Sequence, residues 1–286
     1  MGTVKQVTDD YEMKKVIGEG GFGQCRLVQE YSTRRNYAAK VIPTAKFKEI
    51  EWKYLENEIQ LQANLKHKNI VRLIKIYPSE ERCVLITELC VYGNLFNLLS
   101  DGKKKLGNPE KKHILYGIIC GAEYLHQQNI IHADIKPLNV FLTRGLIAKL
   151  GDFGMAHREG EYDNLDSFGG TLNYYAPELF RIERHSKSSD VWAIGCTAYF
   201  TYSGEELYSS SLPSQQVKNL ICKGVPPLEN LCISKEWKNF LELMLQLNPR
   251  KRLKCRALRR QAFLYRKKSR TVNQRVLNKL VPFMLK

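Results

Sequence analysis

The sequence predicts an α+β, bilobal architecture: a small, mostly antiparallel sheet with one main helix, then a larger and mostly helical lobe. Three observations predict it. Residues 11–43 hold three runs rich in strand formers between turn signals, YEMKKVIGEG, FGQCRLVQEY and NYAAKVIP. A stretch rich in Glu, Lys, Gln and Leu, from about Phe47 to Leu65, reads as a helix and is followed by two more strands, NIVRLIKIY and CVLITELC. From Leu95 the pattern turns helical, most clearly in PEKKHILYGIICGAEYLHQQ, SSDVWAIGCTAYFTYSG and KEWKNFLELMLQL. Between the first two of these helices, residues 130–178 carry few helical signals. A stretch that long without regular structure inside a compact domain is usually functional.

Bulk properties bound the function. A chain of 286 residues with 43% apolar residues can bury a large core and is not disordered. No apolar run reaches membrane-spanning length, and the N-terminal MGTVKQVTDD is too polar for a signal peptide. The eight cysteines form no C-x-x-C pair, which argues against a metal cluster or a disulfide framework and for reduced thiols. The expected location is therefore intracellular, cytoplasmic or nuclear. Net charge is +16, but fourteen Lys or Arg and no acidic residue lie from Arg250 onward. The remainder holds 31 basic against 29 acidic residues, a net of +2. Basicity confined to one end favours a local acidic contact over a nucleic-acid-binding body.

Five motifs carry chemistry. Gly18-Glu19-Gly20-Gly21-Phe22-Gly23 lies between two strands, where glycines let a hairpin backbone approach phosphates. A dinucleotide fingerprint would need a helix after the glycines, and a strand follows instead. Tyr37-Ala38-Ala39-Lys40 places a lysine behind two small residues, and Glu58 on the following helix can supply its counterion. The others are Ile130-Ile131-His132-Ala133-Asp134-Ile135-Lys136-Pro137-Leu138-Asn139, Leu150-Gly151-Asp152-Phe153-Gly154, and Ala176-Pro177-Glu178. Their order and spacing exclude coincidence.

With these motifs the chain resembles the eukaryotic protein kinases over residues 11–265, with an N-lobe of about 11–87, a hinge at 88–92 and a C-lobe at 93–265. Asp190-Val191-Trp192-Ala193-Ile194-Gly195 is similar to the start of the central C-lobe helix of that family. Pro249-Arg250-Lys251-Arg252 is similar to its late arginine motif, with Arg252 pairing with Glu178. The resemblance implies the bilobal kinase fold, ATP and Mg²⁺ as cofactors, and transfer of the γ-phosphoryl group to a protein Ser or Thr hydroxyl. It implies that Lys40, fixed by Glu58, holds the α- and β-phosphates, and that Asp152 and Asn139 bind metal. Asp134 would take the substrate hydroxyl proton, Lys136 would neutralise the transferred group, and Thr171 would bind both. Gly18, Glu19, Gly20, Gly21, Phe22 and Gly23 would cover the phosphates. Ile17, Cys25 and Ala38 would roof the adenine and Phe141 would floor it. Thr87 would be the gatekeeper, and Glu88 and Cys90 would meet the base edge. Cys25, Phe141 and the Glu-Leu-Cys hinge resemble the Polo-like kinases in particular, although the catalytic loop has a proline that those kinases usually lack.

One departure bears on regulation. Most regulated kinases have Arg where Ala133 stands, to hold a phosphorylated loop. Glu159, Glu161, Asp163 and Asp166 already charge that loop, and Ser167 is its candidate phosphosite. Asn94 and Phe200 occupy two places where kinases selecting an upstream Arg present carboxylates. Residues 266–286 form a basic, amphipathic tail with the cluster Arg266-Lys267-Lys268-Ser269-Arg270, followed by Val272, Val276, Leu280 and Met284 at four-residue intervals. An acidic partner or import receptor is the expected ligand of that tail, beside the protein substrate of the body.

Overall fold

The computed structural model describes residues 7–20, 23–100, 106–160, 171–182, 184–224 and 233–264. A one-turn helix α1 (Val7–Asp10) leads into β1 (Tyr11–Gly20), β2 (Gly23–Glu30) and β3 (Asn36–Pro43). Helix α2 (Glu49–Asn64) precedes β4 (Leu73–Tyr77) and β5 (Arg82–Glu88). These strands make one antiparallel sheet in the order β1-β2-β3-β5-β4.

Strand alternation gives that sheet two working faces. Ala39, Val84 and Ile86 join Tyr11, Val28 and Tyr77 on one face. Ile42, Cys83 and Leu85 turn to the other, where Leu55, Trp52 and Ile59 of α2 cover them. Lys40 lies between Ala38 and Ile42 in this alternation and so faces the α2 side. On α2, Leu55, Glu58, Leu61 and Gln62 are the buried positions, spaced three or four apart on one stripe. Gly23 ends the β1–β2 turn at φ +129°, and a Cβ there would stand 2.1 Å from the Val41 carbonyl oxygen, so only glycine fits.

The second lobe contains α3 (Leu95–Ser100), α4 (Asn108–Gln127), α5 (Leu179–Ile182), α6 (Lys187–Ser203), α7 (Ser214–Lys223), α8 (Lys235–Glu242) and α9 (Cys255–Arg259). Helix α6 is buried all the way round from Ser189 to Thr201, as a helix at the centre of a core must be. Ser186 caps its start, accepting from the Ser189 N–H at 3.1 Å, and Gly204 ends it at φ 82°. Gly121 of α4 lets that helix approach the chain closely, since a Cβ would meet the Asn69 carbonyl oxygen at 2.7 Å.

Three readings of the sequence need correction. The run 69–77 is a strand only from Leu73. Val71 instead donates to the Leu150 carbonyl at 2.8 Å and the Asn69 amide to the Ala148 carbonyl at 2.7 Å, which draws residues 69–71 to the helical lobe. The helix 235–247 stops at Glu242, and Leu253 returns to donate to the Leu243 carbonyl. The irregular region holds small paired strands: β6 (Ile130–Ile131) with β9 (His157–Arg158), and β7 (Val140–Leu142) with β8 (Ala148–Leu150). Runs of two or three residues carry too little periodicity to be seen in sequence.

Arg252 pins the far end of the helical lobe. It makes two parallel bonds of 2.6 Å to the carboxylate of Glu178, donates to the Ser188 and Gln246 carbonyls, and stacks over Trp192. Its side chain is fully buried. Arg252→Ala leaves a buried carboxylate unpaired and is expected to destabilise the fold by about 3–5 kcal/mol, measured as a shift in the urea unfolding midpoint. Paired replacement by apolar residues of matching volume is expected to cost far less.

Candidate active site

Two groups of side chains converge where the lobes meet. In the first, Lys40 on β3 donates to Glu58 of α2 at 2.7 Å and to Asp152 of the β8–β9 connection at 3.1 Å. Register explains the approach: Cys25 pairs with Lys40 and Ala38 with Thr87, so all four side chains share the sheet face that carries α2. Burial disfavours the Lys40 ammonium, but Asp152 and Glu58 outweigh it and hold the pKa above the ordinary lysine value. Burial pushes the Asp152 carboxyl upward, yet Lys40, His132 and Lys136 leave it below the usual range. Burial also raises Glu58, against the pull of Lys40. The result is one cation held charged between two carboxylates of different basicity.

In the second group, Asp134 forms an ion pair with Lys136 at 2.7 Å. Lys136 donates to the Thr171 hydroxyl at 2.6 Å, and that hydroxyl donates to Asp134 at 3.2 Å, closing a triangle. The Asn139 amide donates to the Asp134 carboxylate at 2.8 Å and to its backbone carbonyl at 2.9 Å. Thr171 and Lys136 are 35 residues apart in sequence.

A backbone clamp sets this loop, and the sequence reading missed it. Asp190, fully buried at the start of α6, accepts from the His132 and Ala133 N–H groups at 3.0 Å each and meets His126 Nε2 at 2.8 Å. Ala133 is held at φ 62° and Asp152 at φ 60°, a left-handed conformation that side chains rarely adopt. Asp190 stood in a motif placed at the start of the central helix, but nothing in sequence shows its reach across 57 residues.

Ile17, Cys25, Ala38, Thr87 and Phe141, the residues expected around the adenine, are all half-buried. Burial pushes the Cys25 thiol up to about 11, so it is a neutral wall group. Phe141 packs beside Gly151, where a Cβ would meet its ring at 3.0 Å. Cys90 is buried, and its N–H meets no backbone carbonyl among the described residues. Glu88 points its carboxylate to Lys149 at 2.9 Å, away from the cleft. Exposed Glu19 accepts from Gln24 at 3.0 Å. Gly21, Phe22, Ser167 and the tail 266–286 lie outside the described residues.

A second residue missed in sequence is Glu206, which accepts from the Tyr174 hydroxyl at 3.3 Å and the Ser210 N–H at 2.9 Å. Phe200, read as the neutral occupant of a carboxylate position, is buried and stacked on Phe96 at 5.4 Å. Asn94 caps α3 by accepting from the Asn97 N–H at 2.8 Å.

The donor set fits a hard divalent cation with phosphates. Asp152 offers an ionised carboxylate, and the Asn139 oxygen takes no hydrogen bond among the described residues while its nitrogen is fully used. Neither makes a self-sufficient metal site: among the described residues no group of three or more His, Cys, Asp or Glu could hold an ion. The remaining ligands would have to arrive with a nucleotide. No described helix is long and apolar enough to cross a membrane.

A family model for the protein kinase domain matches residues 11–264. The chain is similar to the inactive serine/threonine-protein kinase PLK5 of Mus musculus, 33% identical over 212 residues, which covers 73% of this chain and 36% of that one. It is similar to the serine/threonine-protein kinase plk-2 of Caenorhabditis elegans, 35% identical over 201 residues, 70% of this chain and 32% of that one. An Aurora kinase of Yarrowia lipolytica is 30% identical over 263 residues, 90% of this chain and 69% of that one. The chain thus spans about a third of the length of the two Polo-like relatives.

The His126–Asp190 contact carries a pH signature. Burial disfavours the imidazolium, but Cys255 and Asp190 outweigh it and raise the pKa from 6.5 to about 10. A group raised in the folded state stabilises fully below its unfolded pKa and loses that contribution as pH climbs through its folded one. The stability gap between the unaltered chain and His126→Gln is therefore expected to be widest below pH 6.5 and to close towards about pH 10. Urea midpoints measured across that interval check it, and a flat gap counts against a charged His126.

Proposed function

This chain belongs to the protein kinase domain family, and on that premise we propose that it transfers the γ-phosphoryl group of ATP to serine or threonine hydroxyls of proteins. The observation that carries the reading is the pairing of Lys40 with Glu58 and Asp152 and the Asp134–Lys136–Thr171 triangle, tied together where the Gly151 N–H donates to the Asn139 carbonyl at 3.0 Å.

Phosphoryl transfer needs positioning and charge stabilisation more than covalent chemistry from the protein. Bound Mg·ATP would supply the transferable phosphoryl group and the metal charge that offsets it. Lys40 keeps its proton at any working pH and holds phosphate oxygens, with Glu58 preventing its drift. Asp152 and the Asn139 oxygen would hold the metal. Asp134 takes the proton of the incoming hydroxyl as its oxygen bonds to phosphorus and the bond to the leaving phosphate breaks. Lys136 and Thr171 keep the Asp134 carboxylate aimed and lower the charge cost of the transferred group. Ile17, Cys25, Ala38, Thr87 and Phe141 enclose the base, with the Glu88 carbonyl and the Cys90 N–H at its edge and residues 18–23 over the phosphates. The boundaries 11–87, 88–92 and 93–265 divide the two lobes and the hinge in this reading, and 266–286 are a separate tail.

A nucleotide-binding scaffold without turnover is the second reading, favoured by the mouse relative whose name includes "inactive". Against it, Lys40, Glu58, Asp134, Lys136, Asn139, Asp152 and Thr171 are all present, and hydrogen bonds join them within two groups. Labelled phosphate transferred from ATP to casein decides between them. Asp134→Asn is expected to lose about 10²–10⁴ in rate with nucleotide affinity nearly unchanged, and Lys40→Met and Asp152→Ala to lose at least as much. Equal turnover by unaltered chain and Asp152→Ala would overturn the enzymatic reading.

Substrate choice follows from the same surface. Phe200 is sealed against Phe96, Asn94 is spent on a helix cap, and the Glu206 carboxylate is engaged by Tyr174 and Ser210. A guanidinium gains little there and loses hydration. Met155, after Asp152-Phe153-Gly154, resembles the residues that accompany serine preference. An arrayed peptide library is expected to show serine over threonine and no dominant upstream Arg. Arg three residues before a phosphorylated threonine as the leading signal would contradict both expectations.

A further inference from the structure

Behind the hinge lies a second cleft of about 360 Å³, lined by Arg35, Asn36, Tyr37, Arg72, Glu88, Leu89, Val91 and Arg144. Its volume is within the range of ligand sites. Tyr37 and Glu88 sit one register step from Ala38 and Thr87, so their side chains leave the sheet on the face opposite the adenine walls. We propose that this cleft docks an acidic peptide segment of a protein partner, its carboxylates taken by Arg35, Arg72 and Arg144.

Four observations support this. The three arginines come from separate parts of the chain: the β2–β3 turn, the approach to β4 and the β7–β8 turn. All are exposed, and none has an ion-pair partner among the described residues. The single carboxylate in the lining does not neutralise them, because Glu88 is held by Lys149 at 2.9 Å and by the Arg72 N–H at 2.8 Å. The charge is also local, since the chain before Arg250 is nearly balanced.

The lining favours a peptide as occupant. Its guanidinium forks suit carboxylates, and beside them the lining is mostly apolar. Tyr37, Leu89 and Val91 supply an apolar floor for the stems of the acidic side chains. The hinge residues Glu88 and Leu89 belong to this wall, so an occupant would press on the segment that joins the lobes.

Binding of a short fluorescent Glu/Asp-rich peptide to the full chain, followed by anisotropy without nucleotide, tests this separately from any kinase activity. The basic tail is the competing site. Arg35→Ala, Arg72→Ala and Arg144→Ala combined are expected to weaken binding at least about tenfold, or ~1.4 kcal/mol. Neutralising Arg266, Lys267, Lys268 and Arg270 to Gln is expected to change it less than about threefold, well under 1 kcal/mol. Asn36→Asp, which sets a like charge in the wall, is expected to weaken it further. Arg144→Glu alone, at an exposed turn, repeats the test should the combined variant not fold. Unchanged affinity in the arginine variants, loss in the tail variant alone, or equal arginine-dependent binding of a short oligonucleotide would each overturn the proposal.

Discussion

The loop that carries Asp134 depends on one buried carboxylate. Asp190 sits in the first turn of a helix buried on all sides, where it cannot relax into water. Removing an ionised group from solvent costs several kcal/mol unless its oxygens are fully bonded. Here two backbone N–H groups and one imidazole satisfy them. Such a site tolerates little displacement, so Ala133 takes a left-handed conformation at φ 62° while its N–H and that of His132 point inward. That turn fixes the direction in which Asp134 leaves the backbone. Asn139 and Lys136 then complete the aim of a carboxylate that the helix has already placed.

The second constraint is the sharing of Lys40 between lobes. A lysine bonded to Glu58 alone would lock helix α2 to its own sheet and leave Asp152 free. Its 3.1 Å contact with Asp152 carries the tie into the helical lobe. Asn57 donates to the Ala156 carbonyl at 2.8 Å, and Val71 to the Leu150 carbonyl at the same distance. Helix, sheet and the β8–β9 connection are therefore coupled at three points around the cleft. The charge arrangement and the lobe arrangement are one structure, since moving α2 outward would strand Lys40 with one partner.

Sequence made the chemistry legible and left the supports hidden. Lys40, Glu58, Asp134, Lys136, Asn139, Asp152 and Thr171 stand in the motifs or follow from the family resemblance, and hydrogen bonds join them within two groups. The five-stranded sheet and long helices followed from periodicity, because five or more residues of alternation or three turns of a stripe make a clear signal. Strands of two or three residues could not be seen. Neither could Asp190 with His126, or Glu206 with Tyr174, because these pairs join chain segments through backbone or single side chains with no periodic trace. Residues 69–71 were misplaced for a related reason: they have strand composition, but Asn69 finds a better partner in the Ala148 carbonyl than a sheet edge offers.

The same supports bear on Ala133. An arginine at this position would face two tasks, keeping the unusual backbone turn and holding a charged group on the loop ahead of Thr171. The turn needs neither charge nor length, because Asp190 grips the N–H of Ala133 and not its side chain. A methyl group at φ 62° accepts the same backbone strain that an arginine would, with less side-chain entropy to lose. Exchanging arginine for alanine therefore removes a long-range charge contact and spares the geometry of the loop. The acidic residues already in the connecting segment are consistent with this, since a loop without an arginine to reach gains nothing from further negative charge. The backbone turn at Ala133 is held from below, by the Asp190 carboxylate of the buried helix.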